Sequence, residues 1–250
     1  MGKINRFLVE QYQSKRVEVG RKPGTVNRET ALLSHIFTRV VEEGIVQNNP
    51  VRLVKPLKVN TVMNRFLSSE EIAQLLDASS EAFRPIVLTA VHTGMRVGEI
   101  LGLKWANVDL AKGVIRVTET KSGKDRWIPI NDRLKEVLVR LKDASSSEFV
   151  FASKRTGTRV KKIGSPWKRA LRKSGITPCR FHDLRHAFAS HLATSGVDLV
   201  TVKELLGHQD IRMTLIYAHS APQYKREAVV RLNGLFEEKS RQNIDTQSAA

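Results

Sequence analysis

The chain has 250 residues, 41% of them apolar, which suits one large domain with a smaller companion. It carries 42 Lys and Arg against 25 Asp and Glu, a formal charge of +17. That charge favours a polyanionic partner, above all nucleic acid, because each neutralised phosphate releases counterions. A single cysteine, Cys179, excludes an internal disulfide. Met1–Glu10 lacks the apolar core of a signal peptide, and no apolar stretch reaches membrane-span length, so a cytoplasmic chain without a membrane role is expected.

In chain order, Ile4 to Arg16 predicts a first helix. Residues 25–43 predict a second, with Leu33, Ile36, Phe37, Val40 and Val41 on one face and Gly44 as its stop. From Asn48 to Arg65 the periodicity fades around Pro50 and Pro56, amid Arg52, Lys55 and Lys58, which reads as a basic linker. Ser68-Ser-Glu-Glu71 is a capping box, opening a helix that carries Ile72, Leu75 and Leu76. Helices over Phe83–His92 and Val97–Lys104 follow, separated by Thr93-Gly94.

The period then changes from 3.6 to 2. GVIRVTET (113–120) and RWIPI (126–130) predict two strands joined by the turn KSGKD. Helices return through Leu134–Leu141, Ser165–Leu171, Asp183–Thr194 and Leu199–Leu206, with Gly175, Gly196 and Gly207 at C-terminal cap positions. The expected fold is mainly α with a small antiparallel β-sheet (α+β). Ala228, Val229, Leu232, Leu235 and Phe236 suggest one more apolar helix face, and residues 242–250 a frayed tail.

Scattered along this framework is a set of residues suited to phosphodiester chemistry: Arg96, Lys121, His182, Arg185, His208 and Tyr217. Arginine donates two parallel hydrogen bonds to non-bridging phosphate oxygens and keeps its proton. A departing 5′ oxygen needs a general acid. A tyrosine can act as an oxygen nucleophile, although only about 0.1% of a free phenol is ionised at pH 7, a deficit of roughly 4 kcal/mol that nearby positive charge reduces. His182 and Arg185 are three apart and share a helical face. Glu99 is one turn from Arg96 and is expected to orient its guanidinium. Any one of these residues alone has an ordinary structural explanation.

The runs TGMRVGEI (93–100), HDLRHAFASH (182–191), LLGH (205–208) and MTLIYAH (213–219), in that order, resemble the tyrosine recombinases, the phage-type integrases. The resemblance implies a two-domain architecture: a shortened N-terminal helical core-binding (SAM-like) domain over 1–49, a linker over 50–65, a catalytic domain over 66–240 and a tail over 241–250. It implies that Arg96 and Arg185 clamp the phosphate and that Lys121 is the general acid, with Lys124 in the same turn as the alternative. His182 and His208 would handle protons and bond the phosphate. Tyr217 would attack, leaving a 3′-phosphotyrosine and a free 5′ hydroxyl, and a different 5′ end could then rejoin without ATP. No metal or other cofactor is implied. The implied partner is double-stranded DNA, held by a homotetramer on synapsed sites, with a DNA-bending accessory protein as a possible addition. A family core-binding domain usually has four or more helices and only two or three are legible here, which predicts weak DNA binding and slow cleavage.

His186 and His191 read as scaffold, as do His35, His92 and His219. Three other functions share parts of the pattern. A zinc hydrolase could use the i, i+4 pair His182 and His186, but no third ligand is evident. A type IB topoisomerase shares the tyrosine and the basic set. A degenerate integrase could bind DNA and regulate without cutting.

Overall fold

The computed structural model describes residues 4–59, 66–118, 125–153, 155–220 and 229–230. The chain divides into two compact units, Met1–Met63 and Asn64–Ala250.

In the first unit, α1 (Arg6–Glu18) and α2 (Pro23–Glu42) pack on each other and on a short 3₁₀ turn at Pro50–Leu53. Asn5 caps α1 by accepting the Leu8 N–H, and Pro23 opens α2 where its missing N–H does no harm. The core is Val9, Phe37, Val51 and Val54. Asn27 exchanges two hydrogen bonds with the backbone of Leu57 and so ties the segment after the turn to α2. Ile36, expected on the inner face, is exposed; Val26, Thr30 and Phe37 form the buried stripe instead.

The second unit is mainly helical around one small sheet. Its elements are α3 (Ser69–Ala78), α4 (Arg84–Thr93), α5 (Val97–Leu101), β1 (Val108–Asp109), β2 (Val114–Val117), β3 (Arg126–Pro129), α6 (Asp132–Asp143), α7 (Gly164–Ser174), α8 (Asp183–Thr194) and α9 (Leu199–Leu206). The Ser68 capping box forms as expected, with the Glu71 N–H on the Ser68 hydroxyl and the Ser68 N–H on the Glu71 carboxylate. α3 packs on α7 and α4 on α8, over a core that includes Leu75, Ile100, Ile115, Ile128, Leu134 and Leu184. The fold class is the expected mainly helical one with a small antiparallel sheet.

Two details differ from the sequence reading. The helix expected over Val97–Lys104 stops at Leu101, because Gly102 breaks it and Lys104 bridges to Phe149 as extended backbone. The sheet has a third strand, β1, too short to carry a period of two; the order is β1-β2-β3, antiparallel, with Val114 opposite both Asp109 and Pro129. Among the described residues no helix is long and apolar enough to cross a membrane. Lys121 and Lys124, most of the turn between β2 and β3, the apolar helix after Tyr217 apart from Val229, and the tail lie outside the described residues.

Candidate active site

Arg96 sits at a sharp reversal between α4 and α5. Gly94 ends α4 at φ +61°, a conformation that is strained for any residue with a Cβ. A Cβ there would also lie 2.4 Å from the Phe188 ring. Arg96 is the residue just before α5, and Glu99 closes the turn. The Arg96 N–H donates to Glu99 Oε2 at 2.8 Å, and Arg96 Nη1 donates to Oε1 at 3.0 Å. The expected pairing of Glu99 with Arg96 is present, and a second arginine joins it. Arg126 Nη2 donates to Glu99 Oε2 at 2.6 Å and Nη1 to Oε1 at 3.2 Å, while its Nε donates to the Leu205 carbonyl at 2.9 Å. Burial alone would push the Glu99 carboxyl up; the two guanidinium groups, Arg126 foremost, hold it below the usual carboxylate range.

α8 presents the next group. Arg185 is only 3% exposed. Its Nη1 donates to the Gly94 carbonyl at 2.8 Å and its Nη2 to the Leu206 carbonyl at 2.6 Å. These bonds satisfy carbonyls that the ends of α4 and α9 leave without helical partners, where the negative end of each dipole favours a cation. They use two of five N–H donors. Burial and the neighbouring charge of Arg96 lower the Arg185 pKa to about 10, so it stays protonated at pH 7.

His208 follows Gly207, which ends α9 at φ +67°. Its Nδ1 is 2.9 Å from the Thr214 hydroxyl, and the Thr214 carbonyl accepts the Tyr217 N–H at 3.0 Å. One buried threonine therefore connects the histidine to the tyrosine. Burial, then the charges of Arg185 and Arg96, lower the His208 pKa to about 4. His182 is also lowered, by partial desolvation and then by Arg185.

Tyr217 is 1% exposed and packs among Ala189, Ala193, Val202 and Leu206, with Phe66 beside its ring. Its hydroxyl lies 2.7 Å from Nδ1 of His186. Burial raises the phenol to about 12, only partly offset by Arg185. Burial and then His182, whose ring stands edge-on at 5.0 Å, lower His186 to about 4. With His182, His186 and His208 all favouring the neutral form, the charge comes from Arg96, Arg126 and Arg185 against Glu99: three minus one, or +2. Beside Arg96 and His182 an open groove of about 820 Å³ is further lined by Lys104, Arg116 and Arg159.

Arg96, His182, Arg185 and His208, up to 112 residues apart in the chain, are thus near enough to act on one another electrostatically. Two participants escaped the sequence reading. His186, set aside as scaffold, touches Tyr217 from 31 residues away, a pairing no local pattern reveals. Arg126 did leave a signal: in the alternation of RWIPI it shares the inward face with Ile128 and Ile130, where an unpaired arginine would not be tolerated.

Residues 65–224 match the model of the phage integrase family. The integrase of Escherichia phage P2 is 31% identical over 90% of this chain, which spans 64% of that protein's length. The tyrosine recombinase XerC of Thermodesulfovibrio yellowstonii is 30% identical over 87% of this chain and 78% of its own. Among solved structures, lambda integrase, as a tetramer bound to a Holliday junction, superposes with a TM-score of 0.71 at 25% identity, over 84% of this chain and 66% of that one. The chain belongs to the phage integrase family, the tyrosine recombinases, and is an enzyme of that class.

Proposed function

We propose that this protein is a site-specific DNA recombinase in which Tyr217 attacks a phosphodiester, forming a 3′-phosphotyrosine and releasing a 5′ hydroxyl. The observation that carries the reading is the joining of Arg96, Arg185, His208 and Tyr217 through Gly94, Leu206 and Thr214 in one site, with His182 edge-on to the His186 that touches Tyr217. Arg96, whose side chain is 35% exposed beside the basic groove, and Arg185 stabilise the charge that gathers on the non-bridging oxygens. His182 and His208, neutral at pH 7, donate hydrogen bonds to the same oxygens. The proton for the leaving 5′ oxygen comes from Lys121 in the β2–β3 turn. The phosphotyrosine keeps the energy of the broken bond, so another 5′ hydroxyl rejoins the strand without ATP.

Double-stranded DNA is the substrate, and the working form is a tetramer on two synapsed sites, as lambda integrase forms on its junction. Tyr217, 1% exposed, and Arg185, 3% exposed, are both out of reach of a DNA phosphate in the free chain, which therefore describes a resting arrangement of the site.

Covalent capture tests this. Wild type and Tyr217→Phe are mixed with nicked duplexes carrying the flanks of the parent element, then denatured. Protein attached at the 3′ side with wild type alone supports the assignment. An adduct with both proteins moves the nucleophile elsewhere. DNA binding without an adduct in either describes a regulator.

A further inference from the structure

We infer that Arg126 is a positioning residue that keeps the charge of Arg96 available to the phosphate by neutralising Glu99 from the opposite side. Glu99 brings one negative charge to two guanidinium groups. Each of its oxygens accepts one bond from Arg126 and one from Arg96, the latter supplying a backbone N–H and Nη1. Arg126 makes the full side-chain fork and is 8% exposed; Arg96 gives Glu99 a single guanidinium bond and is 35% exposed beside the groove. Arg126 is therefore the main counter-ion of the buried carboxylate, and Arg96 is oriented by Glu99 without being cancelled by it. Without Arg126 the carboxylate would retain one cationic partner, Arg96, and the pair would be neutral where a phosphate needs a cation.

The same side chain reaches the segment that presents His208. Arg126 Nε donates to the Leu205 carbonyl, and Gly207 lies so close that a Cβ there would be 3.0 Å from Arg126 Cδ and Nη1. One planar group thus fixes the separation between the start of α5 and the end of α9. A lysine has the charge but not the fork, and cannot hold both carboxylate oxygens and the carbonyl in one plane.

The charge-balance role predicts a rescue that a purely structural role does not. In single-turnover cleavage of a nicked duplex, Arg126→Met should slow adduct formation by about a hundredfold, with the dissociation constant for that duplex changed less than about threefold. Adding Glu99→Gln removes the charge that Arg126 balanced but keeps an oxygen for Arg96, so Arg126→Met/Glu99→Gln should regain roughly tenfold over Arg126→Met. A double variant no faster than Arg126→Met overturns the inference.

The cleavage arm rests on the proposed DNA-cutting role of this site; a second arm does not. Tungstate, a phosphate-shaped dianion, is titrated against the full chain while the Arg96 Nε–Hε resonance is followed. Affinity should fall roughly tenfold in Arg126→Met and return in the double variant. Equal tungstate affinity in wild type and Arg126→Met overturns the inference. If wild type forms no adduct while the tungstate pattern holds, the cutting role fails and the inference stands. Should Arg126→Met not fold, Arg126→Gln and Arg126→Gln/Glu99→Gln decide by the same titration: a roughly tenfold loss that the double variant restores supports charge balance, and a loss that it does not restore overturns the inference.

Discussion

The Tyr217 hydroxyl and the Nδ1 of His186 are 2.7 Å apart, in a pocket that leaves the tyrosine 1% exposed. With the phenol raised to about 12 and the imidazole lowered to about 4, proton transfer within the pair is steeply unfavourable. The phenol donates and the imidazole accepts, and the bond holds the tyrosine neutral and indoors. His186→Ala should strand that hydroxyl and destabilise the free protein by about 1–3 kcal/mol. Tyr217→Phe, which leaves an apolar ring among apolar neighbours, should change stability much less. A double-mutant cycle by urea denaturation should return a coupling of about 1 kcal/mol; additive changes would mean the bond contributes nothing.

The lowered histidines make the fold acid-sensitive in a defined window. Unfolded, His186 and His208 take up a proton near pH 6.5; folded, they resist until about 4. Below pH 6.5 the unfolded state therefore binds more protons, and stability falls as pH drops from 6.5 toward 4, having been fully present above 6.5. After discounting for partial solvent contact, each histidine should contribute a loss on the order of 1–2 kcal/mol across that range. Glu99 and Asp183 are both held below the usual carboxylate range, so their losses come at lower pH. Urea midpoints at pH 7.5, 6 and 5 should fall for wild type and fall clearly less for His186→Gln/His208→Gln, which keeps the lowered His182 and His92.

Gly94 joins the two arginines. Its carbonyl receives Arg185, and two residues later the chain delivers Arg96. Gly94→Ala would put a methyl at φ +61°, 2.4 Å from the Phe188 ring and 2.9 Å from a Leu206 methyl. The left-handed conformation alone costs about 1–2 kcal/mol, and the overlap adds about 1–3 kcal/mol more. Thermal denaturation should show a loss of at least about 2 kcal/mol. Gly175→Ala makes a control, with φ +70° and nothing within 4 Å, and should show only the conformational part.

What the sequence disclosed follows from how local each signal is. Capping boxes, helix stops and the change of period are written within a few residues, so α3, α8 and α9 are legible nearly to their ends. β1, two residues long, is too short to carry any period. In the site, Glu99 is legible because helix geometry places it one turn from Arg96. His186 is not, because its partner is set by how α8 meets the 3₁₀ turn at Leu215–Ser220. The burial of Tyr217 is a tertiary fact of the same kind. No local pattern announces it, since its neighbours Leu215 and Ile216 are themselves exposed.

Arg185 offers the sharpest test of whether the site depends on shape as well as charge. Its guanidinium spans the carbonyls of Gly94 and Leu206, and so joins the end of α4 to the end of α9 while remaining cationic at pH 7. An ammonium on a shorter, unbranched head cannot reach both carbonyls with planar geometry, and in a site 3% exposed it is more readily driven to its neutral form. Arg185→Lys should therefore lower stability by about 2–4 kcal/mol, through a carbonyl left unpaired and a poorly solvated charge. If Arg185 clamps the phosphate as proposed, adduct formation should fall by at least about a hundredfold. The two losses should separate with pH: raising it from 7 to 9 should deepen the cleavage defect of Arg185→Lys as the buried amine loses its proton, whereas wild type, with Arg185 held near 10, should retain its clamp. A parallel pH dependence in the two proteins would show that the charge at this position is not what the reaction requires.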